Sequence, residues 1–448
     1  MRVFMLGWEF PPFISGGLGT ACYGLTKAMS GLGTEILFVL PRPVSSPFST
    51  HVKLLSPRPG SPLASPATEF RLDEFEHVSF RAIPSRMNDP YERPEAEMAA
   101  ERARRIKGMT AETAAAGGVA TADLATTKTP GVVGEGKGDH YGGDMFGEIS
   151  RYATLATEVA RGEQFDVVHA HDWMTFPAGM AVSAAKGVPL VVHVHSTEFD
   201  RSGVNVDTRI YDIERRGMHA AMKVIAVSIL TKNICVHQYG VDPSKVEVVY
   251  NAVEVNGNGD FDEEKYKIHS DEKIVLFLGR ITMQKGPEYF LAAAKKVLEV
   301  MDNVKFVMAG SGDMIRRVIE MAAAMGIGHK VLFTGFLRGT DVERVFKMAD
   351  LYVMPSVSEP FGIAPLEAMS HDVPVIVSKQ SGVSEVLNHA LKVDFWDINE
   401  MANKIVAVLR HPPLASTLRQ HGSFDVRKRT WTDAARECVD VYGQAVGR

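Results

Sequence analysis

The chain reads as an α/β protein made of two doubly wound parallel sheets. Three observations predict this: short apolar runs ending in Gly, His or Ser recur along it, helical patterns separate them, and a polar break at 254–272 divides the series in two. The first half offers VFMLG (3–7), EILFVL (35–40), DVVHAH (166–171), LVVHVHS (190–196), KVIAVS (223–228) and KVEVVYNAV (245–253). The second offers KIVLFLGR (273–280), VKFVMAGSG (304–312), KVLFTGF (330–336), ADLYVMPS (349–356) and PVIVSK (374–379). These runs are nearly continuous in Val, Ile, Leu and Phe, as expected of parallel strands covered on both faces. After the first, Ala21, Leu25, Ala28 and Met29 fall at i, i+4, i+7 and i+8, one apolar helical stripe. Residues 289–300 read as a helix in the same way. Such alternation places ligands at the carboxyl ends of the strands.

Two stretches break the pattern. Residues 254–272 are polar and aperiodic, so they are expected to link an N-terminal unit, 1–254, to a C-terminal one, 255–429. Residues 42–150 read as an insertion. Within 108–138, 20 of 31 residues are Gly, Ala or Thr, too little apolar mass to order a segment, so a mobile loop is expected at about 108–140.

Composition narrows the function. The 448 residues carry 49 basic against 54 acidic groups, a net charge of −5, which argues against a nucleic-acid partner. Three cysteines without C-x-x-C spacing exclude a disulfide scaffold and a thiolate zinc site, and fit a cytoplasmic protein. No run approaches the ~18–20 continuous apolar residues of a membrane span.

Four groups of residues carry chemistry. Gly16-Gly17-Leu18-Gly19 follows the first strand and precedes a helix, a turn that lets backbone approach an anion. It does not match G-x-G-x-x-G, and no acidic residue follows the second strand at the right place, which disfavours a nicotinamide dehydrogenase. Arg280 and Lys285, at the end of run 273–280, suit a pyrophosphate, or are solvated surface charges. Glu359-x7-Glu367 follows run 349–356. Pro360 keeps Glu359 out of the helical region, Pro365 opens a helix, and Glu367 falls in its first turn. The amides of Phe361, Gly362 and Ile363 would cradle an anion or sugar hydroxyls. On their own, Glu367 is equally a helix-dipole partner and Glu359 a solvated loop acid. Finally, His169-x-His171-Asp172-Trp173 and His193-x-His195 end adjacent strands. With no third ligand at metal spacing, hydrogen bonding to sugar is expected there and no metal. His169 and His193 are expected to turn to the other side and serve structure.

Glu359-x7-Glu367 with Pro-Phe-Gly, Gly279-Arg280…Lys285-Gly286 and the N-terminal Gly-Gly-Leu-Gly together resemble retaining glycosyltransferases of the GT-B fold. The resemblance covers the chain outside about 42–150, and HxHDW is closest to the glycogen and starch synthases. It implies two Rossmann-like domains about a crevice, with a C-terminal helix, about 430–448, crossing back. It implies a nucleotide-sugar donor, ADP-glucose or UDP-glucose, on the C-terminal domain and a glucan or other sugar acceptor on the N-terminal one. Arg280 and Lys285 would clamp the diphosphate, Glu367 would hold the ribose, Glu359 the hexose, and Gly335-Phe336 would border the base. His171 and Asp172 would contact sugar, with His195 close to the transferred glucose. No metal cofactor is needed if the two cations balance the diphosphate. Asp260-Phe261-Asp262 spells the metal signature of a different glycosyltransferase fold, but lies in the linker and reads as solvated charge. The starch synthases carry a lysine where this chain has Ile14, which leaves transfer to another polysaccharide, lipid-linked or phosphorylated sugar open. A sugar-nucleotide 2-epimerase shares the architecture but not the Glu-x7-Glu; a catalytically dead binding module would be expected to have lost Lys285 or one glutamate.

Overall fold

The computed structural model describes residues 1–10, 17–43, 52–54, 68–72, 77–85, 145–254 and 272–447. The linker (255–271, with Asp260-Phe261-Asp262), the expected mobile loop (108–140), Ile14 and Gly16 lie outside the described residues.

Strands β1 (Arg2–Leu6), β2 (Glu35–Pro43), β3 (Val52–Leu54), β4 (Thr68–Leu72), β5 (Val78–Ser85), β6 (Val167–His171), β7 (Leu190–Val194), β8 (Lys223–Ala226) and β9 (Val246–Val248) form one sheet. Its order is 3-4-5-2-1-6-7-8-9, parallel from β5 to β9, with β3 and β4 antiparallel at one edge. Part of the stretch read as an insertion is therefore sheet. The second sheet holds β10 (Lys273–Leu278), β11 (Val304–Ala309), β12 (Val331–Gly335), β13 (Leu351–Met354), β14 (Val375–Ser378) and β15 (Leu391–Val393). It is parallel throughout, in the order 12-11-10-13-14-15.

Both sheets reverse direction beside their first strand, at β1/β6 and at β10/β13. Crossovers leave such a point to opposite faces, so a crevice opens at the carboxyl ends there. The central strands are buried on both sides. In β1, Phe4 and Leu6 enter one core with Trp173 and Phe176, while Val3 and Met5 enter another with Cys22 and Leu25. The last helix, Trp431–Ala445, begins at a capping box between Thr430 and Asp433 and belongs to this second core through Ala435, Cys438 and Tyr442. It packs on helix Gly17–Gly31, where a Cβ on Gly24 would lie 2.3 Å from the Trp431 ring. The C-terminal sheet has its own two cores, around Phe290 and Phe306 and around Tyr352 and Leu366.

The halves touch directly. The Glu385 carboxylate accepts the amides of Ile229 (2.9 Å) and Leu230 (2.8 Å) at the start of helix Ile229–His237. Ser358 Oγ donates to Asp200 Oδ1 at 2.6 Å. Gly382 leaves no room for a side chain: a Cβ there would sit 2.2 Å from Pro360 O and 2.5 Å from Ser228.

Candidate active site

The C-terminal half of the site is built by close backbone approach. After β10, Gly279 and Gly310 are so near that a Cβ on Gly310 (φ +140°) would lie 1.9 Å from Gly279 O. Ile281, buried, then exchanges backbone bonds with Ser311 (2.8 Å) and Met314 (3.1 Å). Arg280 between them is left at the surface. A 3-10 turn, Met283–Lys285, follows, and Gly286 (φ +65°) ends it 2.2 Å, Cβ to oxygen, from Pro355 O. The turn is thus pressed against the end of β13, and Val357 N donates to Gln284 O at 2.9 Å.

That contact brings Lys285 to Glu359. Lys285 Nζ donates to Glu359 Oε2, and Ser356 Oγ donates to the same oxygen at 3.2 Å. Glu359 is held as a bridge rather than a loop: its amide donates to Gln380 O at 3.0 Å, and its carbonyl accepts Gly382 N at 2.9 Å. The alternative of a solvated loop acid fails, since Glu359 is only 6% exposed. Gly362 (φ +96°) lets the chain turn over it, with Cβ space closed at 3.0 Å by Glu359 itself. Phe361 is buried against Tyr250, and its carbonyl accepts Val383 N at 2.8 Å. Ile363 caps helix Ala364–Ser370, whose first turn holds Glu367. Burial pushes the Glu367 carboxyl up to about 7. At the end of β12, three strands from β13, Gly335 (φ +73°) accepts Gly310 N at 2.8 Å, and Phe336 is 55% exposed with the Arg338 guanidinium 5.2 Å above its ring.

On the N-terminal side, Gly17 and Gly19 are not in a loop before the helix. They form the first turn of helix Gly17–Gly31, with Gly19 buried, because the chain becomes helical one residue after Gly16. Asp172, at the end of β6, takes a left-handed conformation (φ +58°). Its Oδ1 accepts the amides of His195 (2.7 Å) and Ser196 (3.3 Å), which holds the two strand ends together. Burial pushes its carboxyl up to about 7, while those amides pull it down.

The histidines correct a further expectation. Residues two apart on a strand share a face. Accordingly His169, His171, His193 and His195 stack together, with ring centroids 4.2 Å apart for 169/171 and for 193/195. His169 and His193 do not turn away, and a third nitrogen does lie at metal spacing: His169, His171 and His193 each place a ligand atom within 4.8 Å of the others. His171 Nδ1 meets His195 Nε2 at 2.9 Å, and His169 Nδ1 meets Tyr442 OH at 2.5 Å. Burial pushes His169 and His195 down to about 3, so both rings are neutral at pH 7.

Sequence reading missed the supports. Thr197-x-x-Asp200 is a capping box opening helix Glu198–Ser202, a signal present in the sequence. Asp200 accepts Thr197 N (2.8 Å), Thr197 Oγ1 (2.7 Å) and Ser358 Oγ, tying the His195 loop to the residue before Glu359. Arg201 is buried between Glu198 (3.2 Å) and Glu214 (2.5 Å) and donates to Ser196 Oγ at 2.7 Å. The arrangement joins a cation–carboxylate pair on one domain to a histidine pair on the other, with hydrogen-bond partners suited to a polyhydroxylated, anionic substrate.

Residues 259–423 match the model of the family "Glycosyl transferases group 1", and residues 120–256 that of "Glycosyltransferase Family 4". An uncharacterized glycosyltransferase of Methanocaldococcus jannaschii is 35% identical over 62% of this chain and 75% of its own length. A glycogen synthase of Mycobacterium tuberculosis is 24% identical over 99% of this chain and 94% of its own. Among solved structures, sucrose-phosphate synthase from Thermosynechococcus elongatus superposes with a TM-score of 0.72 at 17% identity, covering 100% of this chain and 99% of that one. Two domain matches in tandem, each falling on one of the two sheets, together with a relative of that identity, settle the family: this chain is a GT-B glycosyltransferase of the group 1 type.

Proposed function

We propose that this glycosyltransferase moves a hexose, glucose first, from a nucleoside-diphosphate sugar to the non-reducing end of an α-1,4-glucan with retention of configuration. The observation that carries the reading is the Lys285–Glu359 pair at the β10/β13 switch point, tied through Ser358–Asp200 to the loop bearing His195. Departure of a nucleoside diphosphate builds negative charge on the β-phosphate and positive charge on the anomeric carbon. Lys285 and Arg280 oppose the first charge and Glu359 the second, so one ion pair serves both ends of the breaking bond. Arg280, Lys285 and the amides of Phe361, Gly362 and Ile363 take the diphosphate; Glu367 takes the ribose and Gly335-Phe336 the base. Neutral His195 and His171, with Asp172, hold sugar hydroxyls. The leaving acceptor proton passes to a phosphate oxygen on the same face, which is how the bond forms with retention and without a covalent enzyme intermediate.

The glucan acceptor is favoured by the glycogen synthase of Mycobacterium tuberculosis, whose likeness runs through nearly the whole of both chains. Ile14, in place of the starch synthases' lysine, favours a second reading, hexosyl transfer to another polysaccharide, lipid-linked or phosphorylated sugar. A panel of nucleotide sugars, assayed for free nucleoside diphosphate with glycogen, with sugar phosphates and with neither, separates them. Release that depends on glycogen, giving product cleaved by an α-glucosidase, is expected. Release only with another acceptor moves the assignment to the second reading. Interconversion of nucleotide sugars would instead mark an epimerase, and no turnover with any donor a binding module.

A further inference from the structure

β6 and β7 are parallel neighbours with His171 opposite His193. Their histidines therefore lie on the sheet face covered by helices Gly17–Gly31 and Trp431–Ala445. His169 Nδ1 is held by Tyr442 OH, and His171 Nδ1 by His195 Nε2. That leaves His169 Nε2, His171 Nε2 and both nitrogens of His193 fully buried with no hydrogen-bond partner among the described residues. Buried polar atoms are ordinarily satisfied, and the three residues that carry these each place a ring nitrogen within 4.8 Å of the others.

We infer that His169, His171 and His193 form a three-imidazole site for a divalent transition-metal ion, zinc foremost. The nitrogen-only, oxygen-free set fits zinc and disfavours magnesium and calcium, which take oxygen ligands. The outer contacts are those metal-bound imidazoles need: a ligating histidine fixes its ring by engaging its other nitrogen, as Tyr442 does for His169 and His195 does for His171. Zinc–nitrogen bonds of about 2.1 Å would place the ion among the three nitrogens, which lie within 4.8 Å of one another. The ion fixes a tautomer as well. With Nε2 of His171 on metal, its Nδ1 carries the proton and donates to His195 Nε2, so His195 presents Nδ1–H. The site fastens two strands and orients His195; no step of glycosyl transfer runs through it. Cys22, His171 and His195 also converge within 4.8 Å, but there His171 and His195 already bond each other.

The test uses the full chain. Purified protein is measured for bound zinc, stripped with chelator, and titrated with Co2+, whose visible d–d absorption reports a low-coordinate site. The expected result is about one equivalent bound and a thermal midpoint that rises with added zinc. His169→Gln and His193→Gln are expected to lower Co2+ affinity by more than tenfold, Tyr442→Phe by about tenfold, and Cys22→Ser not at all. Failure of the parent chain to bind Co2+ or zinc at neutral pH overturns the inference and assigns the nitrogens to water. A sulfur-to-cobalt charge-transfer band that disappears in Cys22→Ser overturns it in favour of the alternative trio. Should the histidine variants not fold, the parent spectrum with the Tyr442→Phe and Cys22→Ser titrations still decides between these outcomes.

Discussion

Lys285 and Glu359 are separated by 74 residues yet share one hydrogen bond, and that pairing makes distinct predictions for each. Lys285→Ala is expected to lower kcat by about 100- to 1000-fold, or about 2.7–4 kcal/mol, because a cation facing charge that grows in the transition state acts mostly there. A change under about threefold at saturating donor would remove Lys285 from the chemistry. Glu367 predicts a pH effect. Its carboxyl is raised to about 7, and in the proposed ribose role only the ionised form would accept two hydroxyls, so donor KM is expected to rise about tenfold per pH unit below 7 and to level off above it. Glu367→Gln should flatten that profile and weaken free nucleoside diphosphate. Glu359→Gln should lower kcat while leaving nucleoside diphosphate affinity near that of the parent. An identical pH profile in parent and Glu367→Gln would refute the ribose role. Glu359 and Glu367 stood out as candidates because Pro360, Pro365 and the seven-residue spacing fix the backbone locally. Ser358 and Tyr442 were not: their partners, Asp200 and His169, lie 158 and 273 residues away, and nothing local marks them.

Elements were legible where both faces of a strand are apolar. Thus β1, β6, β7, β11, β13 and β14 stand out, whereas β15 is three residues, LKV, half-exposed at a sheet edge, and β5 (VSFRAIPS) carries Arg and Pro. That His169 shares a face with His171, and His193 with His195, follows from the period of two within each strand; only the meeting of the two pairs needs the strands to be paired in register. Packing between elements rests on two glycines that sequence alone singles out weakly. Gly24→Ala is expected to cost about 1–3 kcal/mol by driving a methyl group into the Trp431 ring, a case of overpacking. Adding Trp431→Leu to Gly24→Ala should recover part of it in a chemical-denaturation series, and strict additivity of the two changes would show that the helices do not meet there. Gly310→Ala meets backbone, not a side chain, so no compensating change of this kind exists. It is expected to separate the ends of β10 and β11 and weaken donor binding along with stability.

For the whole molecule, the two chain crossings meet at one cluster. Tyr250 lies just before the linker, Arg429 just before the returning helix, and the Arg429 guanidinium sits 4.3 Å over the Tyr250 ring. Glu385 reaches the same place, raising the Tyr250 phenol by a hydrogen bond in addition to burial, and caps helix Ile229–His237 from the opposite domain. A carboxylate at a helix N-terminus is favourable by helix capping and the helix dipole, about 1 kcal/mol together. Here that energy is available only while the domains are closed. With Ser358–Asp200, it favours contact of the two halves over a separated form. Glu385→Ala removes the contact without touching Lys285, Glu359 or His195. It is therefore expected to shift the population about fivefold toward open forms, by the same ~1 kcal/mol. In solution scattering the radius of gyration should increase, and saturating donor should restore the parent value. Donor KM should rise with little change in kcat, since closure precedes the chemical step and the catalytic groups are intact once it is reached. An unchanged radius of gyration, or a fall in kcat at saturating donor, would mean that Glu385 does not govern closure and that the crevice is held by the other contacts, Ser358–Asp200 and the Tyr250–Arg429 crossing.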